Sequence, residues 1–222
     1  MPVDLTPARN ITARLERVWL KRWFNEPRMK ATRLEVRLDV STASDQVRAE
    51  ADLWFRPQAS KSVMVCLIGD AKLHSATWKR SVPIKARVNA PYLVLAFPQK
   101  LEAFIETQVS LKYTYVPDEH WTVQQPITVT DFSEKITITC RRPHLGIVQG
   151  RLVSGTETPP LRTYVWETPR ARKLNAFSAN VQSFRKEMPG GGLMWLHCQP
   201  PAVPRAPRIL DLCVQIYEDC AE

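Results

Sequence analysis

Four short stretches of this sequence hold residue types that could do chemistry. Asp118, Glu119 and His120 stand side by side and supply carboxylates and an imidazole for proton transfer. Neighbouring positions of an extended chain point different ways, so the three do not converge on one substrate atom by sequence alone, and they read as a solvated loop. His197 and Cys198, with Cys213 and Cys220, offer nitrogen and sulfur donors. The spacing of a metal site is absent, however, and no CxxC pair occurs, so no metal site is assigned. Pro189 is followed by Gly190, Gly191 and Gly192, a run that can form a phosphate nest; no Lys-Ser/Thr follows and no helix opens after it, so the phosphate-loop reading fails. Trp78, Lys79 and Arg80 place an indole beside two cations, a combination that can stack a base or hold a phosphate. No repeat of aromatics accompanies it. No residue is assigned a catalytic or cofactor-binding role on these grounds.

The elements that must position these residues are strands. Leu34, Val36, Leu38 and Val40 alternate with Glu35, Arg37 and Asp39. Val47, Ala49, Ala51, Leu53 and Phe55 alternate with Arg48, Glu50 and Asp52, and Val109, Leu111, Tyr113 and Tyr115 with Ser110, Lys112 and Thr114. A period of two means half-buried strands, and the odd-numbered residues of the second run are expected inside. Shorter apolar runs at 63–68 and 92–97 lie between turn-forming residues. Beyond a loop at 117–126, Ile127 and Val129, then Ile136, Ile138 and Cys140, resume the pattern. Position 146–153 reads as one further strand, 154–160 as a turn, and 163–167, 176–184 and 193–198 as extended segments. The expected fold is all-β: an antiparallel β-sandwich or saddle-shaped sheet with an N-terminal amphipathic helix and a C-terminal helix.

Both ends differ from this core. Residues 1–30 carry seven Lys or Arg against three acids, and Ile11, Leu15, Val18, Trp19 and Trp23 fall at helical spacing. This basic amphipathic arm reads as a helix packed on the sheet with its basic face in water; a partner-binding arm, a membrane-surface helix or a targeting peptide are the alternatives. Residues 199–207 hold Pro200, Pro201, Pro204 and Pro207 and read as a semi-rigid linker rather than regular structure. Past it, Ile209, Leu212, Cys213, Ile216, Tyr217 and Cys220 form the apolar stripe of a helix over 208–222. The expected organisation is an arm (1–30), a β domain (31–198), a linker (199–207) and a helix (208–222), with the helix docked at the edge near 193–198 and part of its stripe left open.

Composition bounds the rest. A hydrophobic content of 44% in 222 residues supports a proper core. No apolar run approaches the ~20 residues a membrane-spanning helix needs, and no secretory apolar core opens the chain, so a soluble cytoplasmic protein is expected. Five scattered cysteines read as reduced, mostly buried thiols. A net charge of +9 allows anionic partners and supports solubility equally well.

The order of elements resembles the N-terminal domain of the zinc aminopeptidase family that includes aminopeptidase N. Residues 33–40 look like its opening strand, 47–55 the second, and 92–98 with 109–115 the strands closing the first sheet. Residues 132–143 with 147–155, then 164–169 and 175–184, are similar to the later strands of the saddle, and the closing helix resembles the first helix of the catalytic domain. The resemblance implies a saddle-shaped β domain that precedes a thermolysin-like helical domain. The family's chemistry is absent from these residues: there is no HExxH to chelate zinc and activate its water, no later Glu ligand, and no Gly-x-Met-Glu-Asn segment. No catalytic residue carries over, and no cofactor is implied for this chain alone.

The functional expectation is therefore a non-catalytic, aminopeptidase-like β domain acting as a protein-interaction or scaffold module, with a protein or a downstream catalytic domain as its partner. The alternatives are the N-terminal part of a truncated or split zinc aminopeptidase, and a binder of nucleic acid or an anionic membrane surface. The candidate interaction residues are Ile209, Leu212, Ile216, Tyr217, Trp19, Trp23, Trp78, Lys79 and Arg80.

Overall fold

The computed structural model describes residues 16, 18–21, 29–41, 45–118, 123, 126, 133–148, 150–169, 176–188 and 192–221. The chain folds mainly as strands. They are β1 (Met29–Asp39), β2 (Val47–Pro57), β3 (Lys61–Leu67), β4 (Lys72–Trp78), β5 (Val82–Pro83), β6 (Lys85–Asn89), β7 (Tyr92–Leu101) and β8 (Thr107–Tyr115). After these come β9 (Ser133–Arg141), β10 (Leu145–Val148), β11 (Arg151–Thr158), β12 (Leu161–Pro169), β13 (Ala176–Ala179), β14 (Gln182–Glu187) and β15 (Leu193–Cys198). A 3-10 helix over Pro200–Arg205 leads into the α-helix α1 (Ala206–Ala221).

Eight strands form one sheet in the order β11-β12-β9-β1-β2-β8-β4-β5. Register puts the apolar sets together: Leu34 opposes Leu53, Val36 opposes Ala51, and Ala51 and Leu53 oppose Leu111 and Val109. One face of the sheet is therefore continuous hydrocarbon, and Val47, Ala49, Ala51, Leu53 and Phe55 are all buried, as the alternation predicts. A three-stranded sheet, β3-β7-β6, covers that face with Met64, Cys66, Leu93, Leu95 and Phe97. Phe97 meets Phe55 at 6.1 Å and the Trp78 ring edge-on at 6.0 Å, tilted geometries that aromatic quadrupoles favour. The opposite face of β1, β2 and β8 is charged, with Arg37, Glu50 and Lys112 paired across the strands. The architecture is an all-β saddle-like sheet with a covering layer, and its pairings are antiparallel except for β1 with β9.

Several sequence expectations change. The strand expected over 146–153 is two, β10 and β11, broken at Gly150, whose φ of 148° and approach to the Glu167 carbonyl leave no room for a Cβ. The turn expected over 154–160 is mostly strand. It pairs with β12, and its eight positions are all exposed, so no alternation marks it. The segment 176–184 splits into β13 and β14, and β4 and β6 went unassigned. The proline-rich linker is a 3-10 helix rather than an extended spacer, because proline's fixed φ suits a first turn and the Ala202 N–H reaches the Gln199 carbonyl at 2.9 Å.

The helix α1 does dock on the β14–β15 hairpin, through Lys186 Nζ and Asp211 Oδ1 at 2.6 Å, but with a different face from the one expected. Ala206, Leu210 and Val214 are the buried positions, while Ile209, Leu212, Ile216 and Tyr217 are exposed. At the other end, Glu16 and residues 18–21 are helical, with Leu20 buried and Glu16 paired to Arg87 of β6 at 3.1 Å. Ile11, Leu15 and Trp23 of the expected arm lie outside the described residues.

Candidate functional site

The β14–β15 hairpin sorts its side chains onto two faces. Gln182, Phe184 and Lys186 oppose Cys198, Leu196 and Met194, and the Lys186–Asp211 pair puts this face under α1. Ser183, Arg185 and Glu187 oppose His197, Trp195 and Leu193 on the other face. That second face looks across a groove of about 450 Å³ toward β10, β11 and β12. Its walls are largely apolar and aromatic: Leu152, Tyr164 and Trp166 on one side, Leu193, Trp195 and His197 on the other.

Local packing fixes these rings. Gly146 and Gly155 both abut Tyr164; a Cβ on Gly146 would lie 3.2 Å from Cδ2 of the ring, and one on Gly155 would lie 3.3 Å from Cδ1. Across the groove, Trp195 and His197 are two residues apart on one strand and run parallel, with ring centroids 6.2 Å apart and planes at 11°. Ser183 Oγ and His197 Nδ1 are 2.8 Å apart in a cross-strand hydrogen bond. Burial lowers the His197 pKa, so the ring is neutral at pH 7. A Ser–His pair becomes a nucleophile only with a group that orients the imidazole. None of the hydrogen bonds among the described residues brings a carboxylate to it, and the pair reads as a hairpin contact. Trp166 Nε1–H is buried with no acceptor among the described residues.

A second cluster lies on the charged face. Asp52 is buried, accepting a hydrogen bond from Ser110 Oγ at 2.5 Å and from an Arg37 guanidinium nitrogen at 2.7 Å. Desolvation pushes its carboxyl up, but the hydrogen bonds from Ser110 and Arg37, with the Arg37 charge, outweigh it and hold the pKa below the ordinary value. Glu157, hydrogen-bonded by Arg142 and Arg162, is pushed down to about 2. Both clusters are satisfied ion pairs.

The residues singled out in the sequence do not converge. Trp78 is 5% exposed, its Nε1–H donates to Thr107 Oγ1 at 2.6 Å, and Lys79 Nζ sits 4.6 Å from its ring centroid. The indole belongs to the core and offers no face for a base. Lys79 and Arg80 form the turn after β4, both with positive φ, and Arg80 reaches Gln108. Trp19 is exposed at the N-terminal segment, and Trp23 lies outside the described residues. Asp118 is described, whereas Glu119 and His120 lie outside. Gly190 and Gly191 do as well. Cys66, Cys140 and Cys198 are buried free thiols, and burial pushes the Cys66 thiol up to about 12. Among the described residues no three His, Cys, Asp or Glu come together as a metal site. The groove itself went unread in the sequence, although aromatic residues at i and i+2 in two segments, Tyr164 with Trp166 and Trp195 with His197, mark two faces able to meet.

Comparison with known proteins places the architecture. No family model and no curated protein matches the sequence. Among solved structures, the M1 zinc metallopeptidase from Deinococcus radiodurans superposes with a TM-score of 0.61 at 12% identity, over 78% of this chain and 47% of its own. The fold is that of the N-terminal domain of M1 zinc metallopeptidases. A mutant of the same Deinococcus protein gives a TM-score of 0.62, and a two-domain M1 zinc metallopeptidase bound to L-tryptophan gives 0.63, each at 12% identity and with the same coverage. The chain spans about half the length of the structures it matches. No helix among the described residues is long and apolar enough to cross a membrane.

Proposed function

We propose that this chain serves as the N-terminal β domain of a zinc aminopeptidase-type protein. The observation that carries this reading is the superposition over 78% of this chain on 47% of two-domain M1 metallopeptidases. Its 222 residues contain no HExxH, so the zinc, the water-activating Glu and the peptide-cleaving step belong to a helical catalytic unit encoded elsewhere, in the same reading frame or another. On this reading the β domain contributes a rigid platform: two sheets locked through Phe55, Phe97 and Trp78, with the 3-10 helix and α1 as the junction to that unit. Free thiols at Cys66, Cys140, Cys198 and Cys213 agree with a reducing, cytoplasmic setting.

A second reading, an interaction module working without peptidase chemistry, draws on the exposed stripe of Ile209, Leu212, Ile216 and Tyr217. Nucleic-acid binding keeps the +9 charge and the basic arm over 1–30 in its support once Trp78 is in the core.

The reading frames decide between the first two. The enzyme reading expects an HExxH with a later Glu in the frame that carries this chain or in one beside it. If neither frame encodes one, the enzyme reading fails and the interaction module replaces it.

A further inference from the structure

We propose that the N-terminal helical segment around Val18 and Trp19 docks on the surface of an anionic lipid bilayer. This goes beyond the aminopeptidase reading and does not depend on it. Two residues one turn apart fix the inner face of the segment: Leu20 is 1% exposed, and Glu16 pairs with Arg87 of β6 at 3.1 Å. Val18 lies about 160° around the helix from Leu20 and Trp19 about 100°, so both turn away from the body of the protein. Their exposures are 64% and 51%. In sequence they continue the apolar row of Ile11 and Leu15 at helical spacing. The row that the sequence marks as the apolar stripe thus holds two residues turned to water, and not the residue that anchors the segment.

Charge names the occupant. Between residues 11 and 25 the sequence places Arg14, Arg17, Lys21 and Arg22, and Glu16, the acid among them, is taken up by Arg87. Lys21 is exposed beside the two apolar residues. Apolar side chains rimmed by Lys and Arg, with a Trp among them, suit a helix lying in the plane of a bilayer interface. Hydrocarbon enters the headgroup boundary, the indole rests at headgroup level, and the cations meet anionic lipid. Nucleic acid would take the cations through its phosphates and leave Val18 in water. Because Leu20 holds the segment against the protein, one face is left to offer, and a single face fits a flat surface better than a groove that encloses a helix.

Flotation of the full 222-residue chain with lipid vesicles tests this. Vesicles of equimolar phosphatidylglycerol and phosphatidylcholine should bind it saturably and release it as salt is raised, and phosphatidylcholine alone should bind it roughly tenfold more weakly or worse. Val18→Ser combined with Trp19→Ser should weaken binding to the anionic vesicles by roughly tenfold or more, with the far-UV circular dichroism of the folded chain unchanged because both side chains are exposed. Lys21→Ala, which leaves the apolar residues in place, should weaken it roughly fivefold. No binding to the anionic vesicles, equal binding to the two kinds of vesicle, or undiminished binding by the double variant overturns the proposal. So does retention on double-stranded DNA without vesicle binding, which would make the segment a nucleic-acid contact. Self-association that the double variant abolishes and anionic vesicles do not compete with overturns it as well, since a second copy would then cover this face.

Discussion

Phe55 is the residue on which the two sheets close. It is fully buried, it meets Phe97, and its face was legible because five apolar residues alternate without a break along β2. Phe55→Ala is expected to destabilise by ~3–5 kcal/mol in denaturant titration, the range for truncating a buried phenylalanine; a loss under about 1 kcal/mol would mean the ring is not in the core. Asp52 sits on the same strand, and its burial was not legible, since its partners Arg37 and Ser110 come from other strands. Its native carboxyl holds a proton less tightly than the unfolded chain's, so the unfolded state binds more protons in acid. Stability therefore rises with pH through the carboxylate range and is lost as pH falls through about 4 and below. Asp52→Asn should flatten that part of the pH profile of unfolding. His197 works in the same direction at higher pH. Burial favours its neutral form, so stability falls as pH drops through about 6.5, and His197→Gln should remove that slope. The burial of Trp78 was not legible for a simple reason: the groups that bury it, Thr107 and Phe97, are remote in sequence, whereas its cationic neighbours are adjacent.

At the scale of elements, the strands with one buried face were legible and those without were not. β1, β2 and β8 alternate cleanly because one side meets the covering sheet and the other meets water. β11 is exposed at every position, so nothing in its side chains distinguishes it from a turn; its pairing with β12 defines it. The helix α1 was located by its period, but its buried face was not, because Ala206, Leu210 and Val214 form one apolar row and Ile209, Leu212 and Ile216 another. Only the packing on β14 and β15 chooses between them. Leu210→Ala is accordingly expected to cost ~2–5 kcal/mol by thermal or chemical unfolding, whereas Leu212→Gln, at a position 56% exposed, should stay within about 0.5 kcal/mol. Equal losses at the two sites would mean the helix is rotated from the face described.

For the whole molecule, the saddle-like all-β architecture could be read in the sequence, and it matches about half the length of two-domain M1 metallopeptidase structures. The groove could not, because its walls come from β10, β11, β12 and β15, whose proximity depends on the hairpin folding back over the sheet's end. The proposed role as the β domain of a zinc aminopeptidase-type protein is tested most directly by tagging the N-terminus at the native locus and purifying the product with its zinc retained. Zinc content and hydrolysis of aminoacyl p-nitroanilides, with and without phenanthroline, are then measured beside the 222-residue chain alone. The account predicts zinc and chelator-sensitive hydrolysis in the native preparation, accompanied by a polypeptide segment carrying HExxH, and neither in the isolated chain. A native preparation without zinc and without such activity, or an isolated chain that has both, would contradict it.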